Sequence, residues 1–156
     1  MDPDLVAPVQ SPGRSRRRRA DGVLVVAVGC GGALGALARY LVLLAVPALT
    51  GRFPWGTFMI NVSGSAVLGF LLVLVLEAFP RARLARPVLG TGIIGAYTTF
   101  STFCVEAAQL LLAGYPGVAV AYLLASLAAG LVAAWLGMLS ARFALRAERW
   151  MQEALE

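Results

Sequence analysis

The sequence contains no lysine and no histidine, only two cysteines, and few charges of either sign. Without histidine it lacks the commonest side chain for proton shuttling and metal ligation near neutral pH. Cys30 and Cys104 have neither metal-ligand spacing nor a disulfide framework around them. Each sits inside an apolar run and reads as a small buried apolar residue. No Ser-His-Asp or Cys-His constellation can be assembled, so the sequence argues against an enzyme. Charged residues make up 13% of the 156 positions, against roughly a quarter in a soluble domain. What fills the space is apolar: 60% of the residues are hydrophobic.

These residues are concentrated in four blocks, about Gly22 to Val46, Trp55 to Phe79, Pro87 to Leu112 and Gly117 to Ala144. Each exceeds the ~20 residues that a helix needs to cross a bilayer. The first is also too long for the apolar part of a secretory signal, which runs ~7–15 residues. The links are short, so consecutive helices run antiparallel. The expected architecture is an all-α membrane protein with four transmembrane helices occupying residues 21–145. A disordered Arg-rich leader (1–20) precedes them and a short tail (146–156) follows. The basic residues, all arginine, flank the apolar spans. They therefore favour a membrane surface over nucleic acid as the partner, despite the net charge of +5. Small residues mark packing faces: Gly31 and Gly35 in the first block, and Ala121, Ala125, Ala129, Ala133 and Gly137 in the fourth.

Polar groups are costly in a bilayer and are default functional candidates. The third block holds Gly90, Gly92 and Gly95, then Thr98 and Thr99, a weak helix in mid-membrane. Two readings are open: an unbroken helix whose glycines aid packing, or a break buried in protein or lining a cavity. At a break, freed carbonyls near Gly95 and Thr98 could bind a cation, and the next helix's first amides could face an anion. Phe100 and Phe103 share a helix face, and their ring edges are positive; ordinary core or lipid-facing phenylalanines are the plainer reading. Thr57 and Asn61 are four apart, as are Tyr122 and Ser126. With Ser101 and Thr102 they could form a track of neutral donors for a small, hard anion, or simply hydrogen-bond between helices. Arg39 and Glu106 are the deepest charges. They could pair with each other, Arg39 could stand at a pore mouth, or Glu106 could couple to protons.

Three stretches resemble one family. Gly32-Ala33-Leu34-Gly35-Ala36-Leu37-Ala38-Arg39-Tyr40 is similar to the first-span signature of the fluoride channel family. Gly56-Thr57-Phe58-Met59-Ile60-Asn61-Val62-Ser63-Gly64-Ser65 is similar to its second-span motif. Gly95-Ala96-Tyr97-Thr98-Thr99-Phe100-Ser101-Thr102-Phe103, followed by Glu106, is similar to its third-span break. The resemblance covers about Gly22 to Arg142. It implies a third helix broken at mid-membrane and an antiparallel dimer with two pores that passively export fluoride across the plasma membrane. It also implies that Asn61, Phe100, Phe103, Ser101, Thr102, Tyr122 and Ser126 line the pore. Gly95 and Thr98 carbonyls of both subunits would hold a structural sodium ion at the dimer centre. Gly130 falls where some members carry another serine, so the end of the polar track departs from the pattern.

A small proton-coupled multidrug exporter using Glu106 is the alternative. Such exporters carry their carboxylate in the first span, where this chain has only Arg39. A non-transporting membrane partner protein is a second rival. The arginines also orient the chain. The leader, the central link (Arg81, Arg83, Arg86) and the tail (Arg142, Arg146, Arg149) share one side, and Arg52 stands on the other. This bias predicts that both chain ends are cytoplasmic, so an antiparallel pair calls for an oppositely inserted homologue. A cysteine introduced in the tail should react with an impermeant reagent only from the cytoplasmic side; equal labelling from both sides would restore self-pairing.

Overall fold

A computed structural model describes residues 14–78 and 85–153, and every regular element in them is helical. Residues 1–13 of the expected leader, and Arg81 and Arg83 of the central link, lie outside the described residues. Helix α1 is Arg14–Ala45 and α2 is Trp55–Val73, the latter widening into a π-helical turn, Leu74–Ala78. Helix α3 has a π-helical part, Arg86–Ile94, and a final α-turn, Gly95–Tyr97. Helices α4 (Phe100–Leu112) and α5 (Pro116–Glu153) complete the chain. Among the described residues, four segments are long and apolar enough to cross a membrane: Asp21–Ala45, Trp55–Glu77, Arg86–Leu112 and Pro116–Gln152.

Two boundaries differ from the sequence reading. Residues 14–20 are helical rather than disordered. Arginine is a good helix former, and a helix nucleated in the apolar span propagates into it at little cost. Helix α5 runs 38 residues, roughly 57 Å at 1.5 Å per residue. That outreaches the ~30 Å hydrocarbon layer, so its C-terminal turns project beyond it. Arg142 on α5 and Glu77 on the π-turn after α2 approach to 3.6 Å and are both exposed. An exposed pair of this kind adds at most ~1 kcal/mol, but it marks a polar level near one end of the bundle.

Consecutive spans alternate in direction, and the closest packing joins two parallel pairs, α1 with α3 and α2 with α5. Glycine sets the spacing in both. A Cβ on Gly35 would strike the Ile93 carbonyl, one on Gly69 the Ala134 carbonyl, and one on Gly137 the Ala66 carbonyl. Backbones this close gain the dispersion contacts and weak C–H···O bonds that drive helix association in lipid. The alanine stripe of α5 is not one face, however. Ala121 is exposed, Ala125 and Ala129 are half-buried, and Ala133 and Gly137 are buried. Steps of four residues overshoot a 3.6-residue turn, so the stripe winds around the helix.

A tight cap turns α4 into α5. Gly114, at φ +84°, allows the Tyr115 amide to bond the Leu110 carbonyl at 2.9 Å and its own amide to bond the Leu111 carbonyl at 3.1 Å. The Tyr115 ring then covers Gly51, itself at φ +74°, where a Cβ would come within 2.6 Å of the ring. The first and third links are thus fastened together at one end of the bundle. The cysteines depart from expectation: Cys30 and Cys104 are free and exposed. A four-helix bundle has too little interior to bury most of its apolar side chains, and lipid covers them instead. Gly69→Leu should overpack the α2–α5 contact and cost about 1–3 kcal/mol, read as a lower unfolding temperature in detergent.

Candidate functional site

The third span is interrupted at Thr98 and Thr99, both extended (φ −73°, ψ 159° and φ −148°, ψ 122°). In an unbroken helix the Thr99 amide would bond the Gly95 carbonyl. Here it donates to Asn61 Oδ1 at 2.9 Å, while Asn61 Nδ2 donates to the Thr99 carbonyl at 3.0 Å. One α2 side chain therefore satisfies both polar groups of the Thr99 backbone. The Thr99 hydroxyl caps α4: it accepts from the Thr102 amide at 3.2 Å and donates to Thr102 Oγ1 at 3.0 Å. Thr98 turns its hydroxyl back onto the Ile94 carbonyl at 2.9 Å.

Beside this interruption lies a cavity of about 560 Å³ lined by Asn61, Phe100, Phe103, Ser126 and Gly130, among others. The two phenylalanine rings are 5.9 Å apart with planes at 36°. Phe100 is 78% exposed, whereas Phe103 packs on Tyr122 with ring centres 5.0 Å apart. Ser126 Oγ is buried with no hydrogen-bond partner, an orphan donor facing a polar need that the protein does not meet. The cavity thus combines ring edges, an amide and an unused hydroxyl, with no charged side chain in its lining.

Glu106 is held differently. Thr57 Oγ1 donates to Oε1 at 2.9 Å and Tyr122 Oη donates to Oε2 at 2.8 Å. Thr57 and Tyr122 are both fully buried. Both carboxylate oxygens are engaged by neutral hydroxyls on α2 and α5, which fixes the side chain where three helices meet. Tyr122 consequently points its O–H at Glu106. A second cavity of about 510 Å³ opens on the other side of Glu106, lined by Arg52, Gln109 and the first link.

The remaining candidates are dispersed. Arg39 does not pair with Glu106; its Nη1 donates to the Thr98 carbonyl at 3.4 Å. Ser101 is exposed on the first turn of α4, and Thr102 bonds Thr99. Neither lines the 560 Å³ cavity. Sequence reasoning missed the Asn61–Thr99 pairing and the neighbourhood of Arg52, Gln109 and Glu106. Both need helices distant in sequence to be brought together, and no local spacing signals them.

The fold and site define a multi-pass membrane protein whose interrupted third span flanks a neutral, donor-bearing cavity. Residues 26–138 match the family model described as CrcB-like protein, Camphor Resistance (CrcB), and the chain belongs to that family. It is 43% identical over 143 residues to fluoride-specific ion channel FluC 1 of Streptomyces coelicolor, covering 91% of this chain and 90% of the relative. It is 50% identical over 115 residues to fluoride-specific ion channel FluC of Acidobacterium capsulatum, covering 71% and 90%. A third relative, fluoride-specific ion channel FluC 2 of Streptomyces avermitilis, is 43% identical over 120 residues, 76% of each chain.

Asn61→Ala should expose both Thr99 backbone groups at once. The expected cost is about 1–3 kcal/mol, seen as a lower unfolding temperature in detergent. Ser140→Ala is the control, since among the described residues the Ser140 hydroxyl bonds only the Gly137 carbonyl of its own helix and its removal should change little.

Proposed function

We propose that this chain forms a passive fluoride channel that discharges fluoride from the cytoplasm and so lowers its toxicity. The supporting observation is the cavity where Asn61, Phe100, Phe103 and Ser126 converge. It occurs in a chain whose relatives, at 43–50% identity over most of their length, are named fluoride-specific ion channels. The chemistry suits the ion. A small hard anion holds its water tightly and passes only where other donors replace that water. Neutral hydroxyls, an amide and positive ring edges replace it without a full charge that would trap the ion. An electrically negative interior supplies the driving force, about 2.3 kcal/mol per charge per 100 mV. Hydrogen fluoride enters uncharged and releases fluoride at the higher internal pH, so the flow is outward and needs no fuel.

The working unit of this reading is an antiparallel dimer in the plasma membrane, with two pores and the interruption of each third span at mid-membrane. Ser101 and Thr102 join the polar track from a subunit surface that the dimer covers. The arginine bias puts both chain ends in the cytoplasm, and the oppositely inserted partner is a homologue. A sodium ion at the dimer centre fits the donor set. The Gly95 carbonyl has lost the Thr99 amide to Asn61, and among the described residues the Thr98 carbonyl accepts only the long Arg39 contact. Such hard carbonyl oxygens suit an alkali cation. Its role is to hold the subunits together; fluoride flow does not follow a sodium gradient.

Efflux from liposomes holding this chain together with its oppositely inserted homologue, read with a fluoride electrode, tests the proposal. Fluoride should leave without a proton gradient while chloride stays. Phe100→Ile should cut the flux at least tenfold with the fold intact, because volume is roughly kept while the ring edge disappears. Phe100 is the cleaner position, since Phe103 also packs on Tyr122. Flux that tracks an imposed proton or sodium gradient would defeat the channel reading.

A further inference from the structure

Ser65 belongs to none of the assignments above, yet it stands where two cavities meet. It lies one turn beyond Asn61 on α2 and therefore on the same face. Besides the 560 Å³ cavity, a smaller one of about 220 Å³ is lined by Gly64, Thr98, Thr99 and others. Only Asn61, Ser65 and Phe100 line both. Among the described residues the Ser65 hydroxyl has no hydrogen-bond partner, whereas Ser63 turns its own onto the Met59 carbonyl at 2.6 Å.

The fourth span explains why a donor is needed there. On α5, Ser126 presents its unpartnered hydroxyl to the larger cavity, and the next turn brings Gly130, which has nothing to offer. A Cβ built on Gly130 would lie 3.6 Å from Ser65 Oγ, ordinary van der Waals contact. The α2 hydroxyl thus reaches the spot that a side chain at 130 would occupy. We propose that Ser65 is a fluoride-contacting donor that extends the ion path beyond Ser126 from the facing helix, in place of the side chain that Gly130 lacks. The proposal rests on the fluoride-channel reading. It assigns Ser65 to the ion path rather than to helix packing, and it makes positions 65 and 130 interchangeable as sources of one hydroxyl.

The test compares fluoride efflux from liposomes holding the homologue paired with the native chain, Ser65→Ala, or Ser65→Ala combined with Gly130→Ser. Ser65→Ala should lower the flux at least about tenfold, the scale of one lost hydrogen bond to a charged group. The double variant should recover most of that loss, because the new hydroxyl enters the space the old one left. A merely structural serine would not be rescued from another helix. Native-level flux in Ser65→Ala overturns the proposal, as does a double variant no better than the single one. Absence of fluoride flux in the native pair would instead overturn the channel reading itself.

Discussion

The architecture depends on the pair of hydrogen bonds between the Asn61 side chain and the backbone of Thr99. An interrupted helix within an apolar span leaves amides and carbonyls that lipid cannot satisfy. Asn is the right residue for this task, because its side chain presents one donor and one acceptor in the spacing of a peptide unit. By meeting both Thr99 groups it stabilises the extended conformation there and joins α2 to the start of α4. Phe100 and Phe103 follow directly, so their rings are aimed by this joint as much as by helical spacing.

Close packing makes the joint possible. Thr98 lies against Gly64, where a Cβ would strike the Thr98 methyl group. Without that glycine, α2 would stand off from the interruption and Asn61 would fall short of Thr99. The same economy runs through the α1–α3 and α2–α5 contacts. In lipid no hydrophobic effect drives helices together, and close backbone approach supplies the attraction instead.

Neutral groups and charged groups are kept apart in the site. Asn61, the phenylalanines and Ser126 surround the larger cavity, while Glu106 is held behind Tyr122 by two hydroxyls. In a medium of low dielectric a carboxylate interacts strongly over several ångströms. Its confinement on both oxygens keeps it from swinging toward the rings. Arg39 is likewise spent on the Thr98 carbonyl, which leaves the cavity lining uncharged.

The four spans, their antiparallel order and the residue types of the site were legible in the sequence. Apolar run length, link length and the cost of intramembrane polarity are local properties. The glycine–threonine run of the third span was equally visible, but its consequence was not. Whether such a run stays helical depends on whether something else satisfies the freed backbone, and that partner, Asn61, is 38 residues away. The same limit separated Arg39 from Glu106, joined Glu106 to Thr57 and Tyr122, and set Ser65 opposite Gly130. It also hid the exposure of Cys30 and Cys104, since apolar flanks are the same whether lipid or protein covers a side chain. Sequence alone determined which segments leave water, because that follows from composition over a single helix. Only the tertiary structure decided which polar groups meet, because each hydrogen bond across helices needs both partners within about 3 Å, a distance fixed by packing and not by spacing along the chain.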